Sequence, residues 1–244
     1  MHATPSRHTG RRRLVARTGI AALASVALAG CGGGDAEPKA SGPRDAAPDP
    51  AEVTRPERDD ELVATLGEIG RAAVTAGCAI GSFDEQEPEH VSEVARDDWN
   101  SFPPTSGRHY DRWAPFGVFD ETLDDGFTVH NLEHGGVAVW YGDEVADSLV
   151  TAIDQNIDDG EKWLLMPREG LDGVASSAWT KLLACDAAAL AELGGEDAAA
   201  LLDAWFEAVV STGAASEKDL PAYAGGMEDP APTRDVSIEP PTFQ

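Results

Sequence analysis

Prolines crowd both ends of this chain, and they limit its fold more than any other feature does. Pro38, Pro43, Pro48, Pro50 and Pro56 stand among Ala, Asp and Glu, just after the run Gly32-Gly33-Gly34. From about Ala214 onward the pattern returns with Pro221, Pro230, Pro232, Pro240 and Pro241. Such stretches offer too little apolar surface to offset the entropy of ordering the chain. Residues 31–60 are therefore expected to form a disordered tether, and residues 213–244 a flexible tail. The globular part is expected over 61–212, about 150 residues, the size of one domain. Hydrophobic residues make up 42% of the chain, enough for a single core.

Charge separates the first thirty residues from the rest. They hold Arg7, Arg11, Arg12, Arg13 and Arg17 and no acidic residue. Residues 31–244 carry the other 13 Lys+Arg against 44 Asp+Glu, a formal charge of −31. So acidic a surface repels phosphate backbones, which argues against a nucleic-acid partner. The basic stretch Arg11–Val15 precedes an apolar run from Thr18 to Ala29. At 12 residues the run is too short for a transmembrane helix, which needs about 20. It has the form of an export signal over residues 1–30. The closing Leu28-Ala29-Gly30-Cys31 resembles the bacterial lipobox, so Cys31 is expected to carry a lipid that holds the protein to the extracytoplasmic face of the cell membrane. The arginine run is compatible with general or twin-arginine export.

With Cys31 lipidated, Cys78 and Cys185 are the remaining thiols. In an oxidising exterior an isolated pair is expected to form a disulfide. A redox-active pair usually has Cys-x-x-Cys spacing, which is absent here. Around these cysteines the patterning is mixed. Asp59-Asp60-Glu61 begins a helix that carries Leu62, Leu66, Ile69 and Ala73 and stops at Gly77. Residues 81–125, with Pro88, Pro103, Pro104 and Pro115, read as a long ordered loop region with short strands. Phe127–Val129, Val137–Tyr141, Trp163–Met166 and Ala175–Leu183 read as strands. Helices are expected over 143–157 and Ala198–Val210. Strands and helices follow no regular alternation. The expectation is one α+β domain with a small mixed or antiparallel sheet packed by helices.

Four histidines, His90, His109, His130 and His134, fall within 45 residues of this acidic domain. In His130-Asn131-Leu132-Glu133-His134 a helical turn would set both imidazoles on one face, where they can grip one ion. The spacing is also that of the inverted zincin motif, in which the glutamate is a general base. Gly135 and Gly136, however, follow at once, and a strand-like run comes next. Imidazole ligands without thiolate suit zinc, copper, nickel or iron more than magnesium or calcium. The candidate metal ligands are His90, His109, His130 and His134, with Glu133 as a fifth ligand or as a partner that orients one. Ser106, near His109, lies in ordinary turn chemistry and lacks a Gly-x-Ser-x-Gly elbow. Trp99 and Trp113 flank the Pro103-Pro104 loop and read as packing residues with the option of walling a pocket.

Two stretches, Ser101-Phe102-Pro103-Pro104-Thr105-Ser106-Gly107-Arg108-His109-Tyr110 and Val129-His130-Asn131-Leu132-Glu133-His134-Gly135-Gly136-Val137, resemble the bacterial domain of unknown function 3105. The resemblance runs from about Cys78 to Val210 and takes in Gly77-Cys78, the His90 region and Ala178-Trp179 to Cys185. It implies an exported or membrane-anchored bacterial protein and assigns no activity. Three functions stay open: a metal-binding protein of the cell envelope, a structural or interaction module whose histidines only hold loops, and a metal-dependent hydrolase with Glu133 as base. Zinc or copper is the expected ion, and the membrane, through the lipid on Cys31, is the expected partner.

Overall fold

Val137-Ala138-Val139-Trp140-Tyr141 is apolar at every position, the pattern of a strand covered on both faces. The computed structural model describes residues 52–156, 161–212, 215 and 217, all within one compact unit. Along these residues the chain runs β1 (Glu57–Arg58), α1 (Asp60–Thr65), α2 (Gly67–Ala76), β2 (Ala79–Ser82), β3 (Gly117–Val118), α3 (Asp125–Glu133), β4 (Val137–Tyr141), α4 (Asp147–Asn156), β5 (Trp163–Pro167), β6 (Val174–Ala178), β7 (Lys181–Cys185), α5 (Ala187–Leu193) and α6 (Gly195–Thr212). The seven strands form one mixed sheet in the order β1-β2-β7-β6-β4-β5-β3. β4, β5 and β3 pair in parallel and the other neighbours are antiparallel. The domain is α+β, as its irregular alternation indicates.

Side chains alternate across the sheet and divide the core in two. Val137 and Val139 of β4 and Trp163 and Leu165 of β5 pack on the helical layer with Leu201, Leu202, Trp205 and Phe206 of α6. Ala138, Trp140, Leu164 and Met166 point the other way, onto Tyr110, Phe116, Phe127, Val129 and Leu132. That second layer consists of α3 and the long proline-bearing loop, and it carries the histidines. Cys78 and Cys185 are disulfide-bonded across the end of β7, on the helical side. Among the described residues no helix is long and apolar enough to cross a membrane.

Several sequence expectations change in the structure. Phe127–Val129 lies inside α3 and is not a strand. Asp124 caps this helix by accepting the Gly126 N–H at 2.8 Å. Its residues from Gly126 to Glu133 are all buried, so it shows no polar face to mark it as a helix in the sequence. The stretch read as one strand over Ala175–Leu183 is the β6–β7 hairpin, turning at Trp179-Thr180. Thr180 accepts a φ of 63°, which is unusual for a β-branched residue, and its N–H donates to the Thr105 carbonyl at 2.8 Å. The helix expected from Asp60 to Ala76 is two helices that meet at Leu66. The fold also takes up chain ahead of residue 61, since Thr54 N–H donates to the Phe102 carbonyl and β1 pairs with β2. The export signal, Cys31 and the tether up to residue 51 lie outside the described residues, as does the tail apart from residues 215 and 217.

Asp59 ties α1 to the sheet edge. It accepts the Leu62 N–H at 2.9 Å, the Ser82 hydroxyl at 2.7 Å and the Lys181 ammonium at 2.9 Å. Burial pushes its pKa up, but Lys181, the Leu62 N–H and the Ser82 hydroxyl outweigh that and hold it at about 2, below the ordinary 3.8. A carboxyl with a depressed folded pKa stabilises fully above its unfolded value, and that contribution is lost as pH falls from about 4 toward 2. The Asp59→Asn protein should therefore lose less stability over this interval than the parent, measured by urea denaturation at stepped pH. Parallel curves for the two proteins would refute the assignment.

Candidate metal centre

His109 lies at the end of a loop whose residues from Ser101 to Gly107 are all buried. The Phe102–Pro103 peptide in this loop is cis. Ser106 accepts the Gln86 N–H at 3.0 Å and is fully buried, so it serves as a loop anchor. His90 reaches the site through a strap across the same loop. His109 N–H donates to the Glu89 carbonyl at 3.0 Å, and Val91 N–H donates to the His109 carbonyl at 2.8 Å, forming an isolated parallel bridge of His90 with His109. His130 and Glu133 come from the last turn of α3, and His134 is its C-terminal cap. Gly135 follows with φ 76°, and Gly136 N–H donates to the Asn131 carbonyl at 2.8 Å. A Cβ on Gly136 would approach that carbonyl oxygen and the Phe116 ring to 2.6 Å, so the helix must end here on a residue without a side chain. The two glycines thus terminate the helix directly after the motif. That is compatible with a short helix carrying both histidines.

These pieces bring four candidate ligands together. One ligand atom from each of His90, His109, His130 and Glu133 lies within 4.8 Å of the others. The imidazole centroids of His90, His109 and His130 are mutually 4.8–4.9 Å apart. His134 stands beside them, with its Nε2 2.9 Å from His130 Nε2. His90 is exposed, and His109, His130, Glu133 and His134 are buried.

Backbone carbonyls determine which ring nitrogens are free. His109 Nδ1 lies 2.8 Å from the Gly107 carbonyl, and His130 Nδ1 lies 2.6 Å from the Tyr110 carbonyl. A carbonyl oxygen can only accept, so in the neutral rings both Nδ1 atoms carry the proton and both Nε2 atoms present a lone pair. Metal-ligating histidines are oriented in this way by donating the other ring N–H. His109 Nε2, fully buried, is 3.1 Å from Glu133 Oε2. A proton on Nε2 or a cation between the two atoms would join them.

The electrostatics keep the cluster ready to bind. Burial pushes the His130 pKa down to about 3, against the partial support of the Tyr110 carbonyl, and the neighbouring imidazoles lower it further. Burial also lowers that of His134, with Glu217 and Glu133 opposing. For Glu133 burial acts upward, but His109 outweighs it and holds the carboxyl below its usual range. At neutral pH His130 and His134 are therefore neutral and Glu133 is ionised, the protonation states a metal requires.

Two further residues shape the site. Asn131 grips the Ala114 backbone from both sides, accepting its N–H at 2.9 Å and donating to its carbonyl at 2.8 Å. This holds the adjacent Trp113 ring over His134, at 4.1 Å between centroids, and beside His130 at 5.1 Å. Trp113 therefore walls the site, whereas Trp99 is buried in the core and donates to the Arg108 carbonyl. Glu217 was not legible as a site residue. Its Oε2 lies 3.4 Å from His134 Nε2, and its N–H donates to the Glu133 carbonyl at 3.1 Å. Glu217 sits in polar, proline-rich chain with no pattern around it, so only the folded chain reveals its place.

Neither a curated protein nor a solved structure matches the chain. A family model does match, over residues 90–195. It begins at His90, includes all four histidines with Glu133 and ends at the start of α6, a narrower span than Cys78 to Val210. The model is described as protein of unknown function (DUF3105), the family that the two central motifs resemble.

Proposed function

We propose that this is an exported, lipid-anchored protein of the bacterial cell envelope whose domain binds a transition-metal ion through His90, His109, His130 and Glu133. The observation that carries the reading is the convergence of one ligand atom from each of His90, His109, His130 and Glu133 within 4.8 Å, with Nδ1 of His109 and of His130 held by backbone carbonyls. Three imidazoles and one carboxylate suit zinc or copper(II). Lipid on Cys31, at the end of the Leu28-Ala29-Gly30-Cys31 stretch, would hold the domain at the extracytoplasmic face.

Binding is favoured over hydrolysis by the position of Glu133. A general base must be free to take a proton from metal-bound water, and Glu133 stands within the ligand set against His109. The exposed edge at His90 is where a metal-bound water would have access. The test is metal analysis of the full chain, purified without a histidine tag and equilibrated separately with zinc and copper(II), against His109→Ala and His130→Ala. The parent should retain at least one equivalent through gel filtration, and each variant should bind at least about 100-fold more weakly. Circular dichroism would establish that the variants are folded. Equal, negligible metal in all three proteins would leave the histidines as loop anchors and end the metal reading.

A further inference from the structure

We propose that the centre holds two ions, with Glu133 as the carboxylate shared between them and with His134 and Glu217 as the remaining protein ligands of the second. This rests on the metal reading above and adds a second site to it. Ligand atoms of Glu133, His134 and Glu217 also lie within 4.8 Å of one another, so Glu133 belongs to both groups. A carboxylate has two oxygens, and each can bind one ion. Paired metal sites hold their ions about 3.5–4 Å apart.

The contact of His130 with His134 provides the second argument. His130 Nδ1 is held by the Tyr110 carbonyl, so the neutral His130 can only accept at Nε2, and the proton in the 2.9 Å contact belongs to His134. An ion bound at the first group takes the His130 lone pair and ends this hydrogen bond. His134 Nε2 is buried, with Glu217 Oε2 3.4 Å away. When that proton moves to Nδ1, giving the other neutral tautomer, Nε2 presents a lone pair beside the Glu217 carboxylate, and a second cation between them satisfies both.

The third argument is that the fold brings Glu217 to this position. Its N–H donates to the Glu133 carbonyl, and Ala215 is buried in the same layer as α3. Ala215 and Glu217 therefore lie against α3, at whose end the shared glutamate stands. The Trp113 ring lies across both His130 and His134 and shields the two imidazoles together.

Native mass spectrometry of the full, untagged chain titrated with zinc counts the ions directly. Every sample should carry His2→Ala and His8→Ala, so that histidines outside the domain contribute nothing. The expected result is two ions in this parent and one in Glu217→Ala, whose side chain is half exposed and can be removed without disturbing the core. Loading with copper(II) gives an independent readout. The parent should show a spin-coupled pair by electron paramagnetic resonance, and Glu217→Ala an isolated-ion signal. One ion in both proteins would overturn the second site and leave the first standing. Two ions in both would remove Glu217 from the ligand set and overturn the proposal as stated. No ion in the parent would fail the metal reading itself, a result distinct from the other two.

Discussion

Replacing Cys78 and Cys185 together by serine should destabilise the domain by about 4–5 kcal/mol, the chain-entropy value for a closed loop of this length. The two cysteines are 107 residues apart, and the disulfide joins the residue before β2 to the last residue of β7. In a domain of this size the loss corresponds to a fall in Tm of roughly 10–20 °C, measurable by calorimetry. The loop it closes contains α3, β4, α4, β5, β6 and the whole histidine cluster. Yet both sulfurs lie on the helical side of the sheet, and the histidines lie on the other. Metal content of the folded fraction should therefore be unchanged. A variant that melts with the parent would show that the bridge constrains little in the unfolded chain. One that stays folded but loses metal would show coupling across the sheet.

Asp125→Ala should cost about 3–5 kcal/mol, the usual penalty for leaving the other half of a buried ion pair alone. Arg168, just past β5, donates from Nη2 to both Asp125 oxygens at 2.8 Å, and both side chains are largely buried. Its guanidinium also lies 4.6 Å from the Phe102 ring centroid and 5.4 Å from that of Trp140. It thus joins the first turn of α3, the cis-proline loop and the sheet. Burial pushes the Asp125 pKa above its usual range, and the Arg168 guanidinium opposes that rise. Replacing both partners, as Asp125→Leu with Arg168→Met, should recover most of the loss, because no unpaired charge stays buried. Denaturant curves of the parent, both single variants and the double variant form the cycle that tests this. A double variant as unstable as Asp125→Ala would place the cost in packing and not in charge.

The candidate metal centre was legible in part. Four histidines, three of them in two dense motifs, identified the ligand types, and the i, i+4 spacing of His130 and His134 anticipated their common face. The convergence of His90 with His109 was not legible, because it depends on a β-bridge between loop segments that show no strand pattern. Nor was the helix that carries His130. Phe127-Thr128-Val129 has the composition of a strand, and complete burial overrides that preference.

Some properties belong to the sequence alone. Local composition places the proline-rich ends, alternation and apolar runs mark β4 and β5, and two cysteines left in the domain allow only one bridge within it. These depend on a residue and its near neighbours, and are visible without coordinates. The tertiary structure decided the rest. It alone shows that Gly107 and Tyr110 carbonyls fix the free nitrogens of His109 and His130, that Asn131 holds Trp113 over the site, and that Glu217 returns to His134. Each of these contacts depends on three-dimensional proximity set by the sheet and by α3, and sequence spacing carries no record of it.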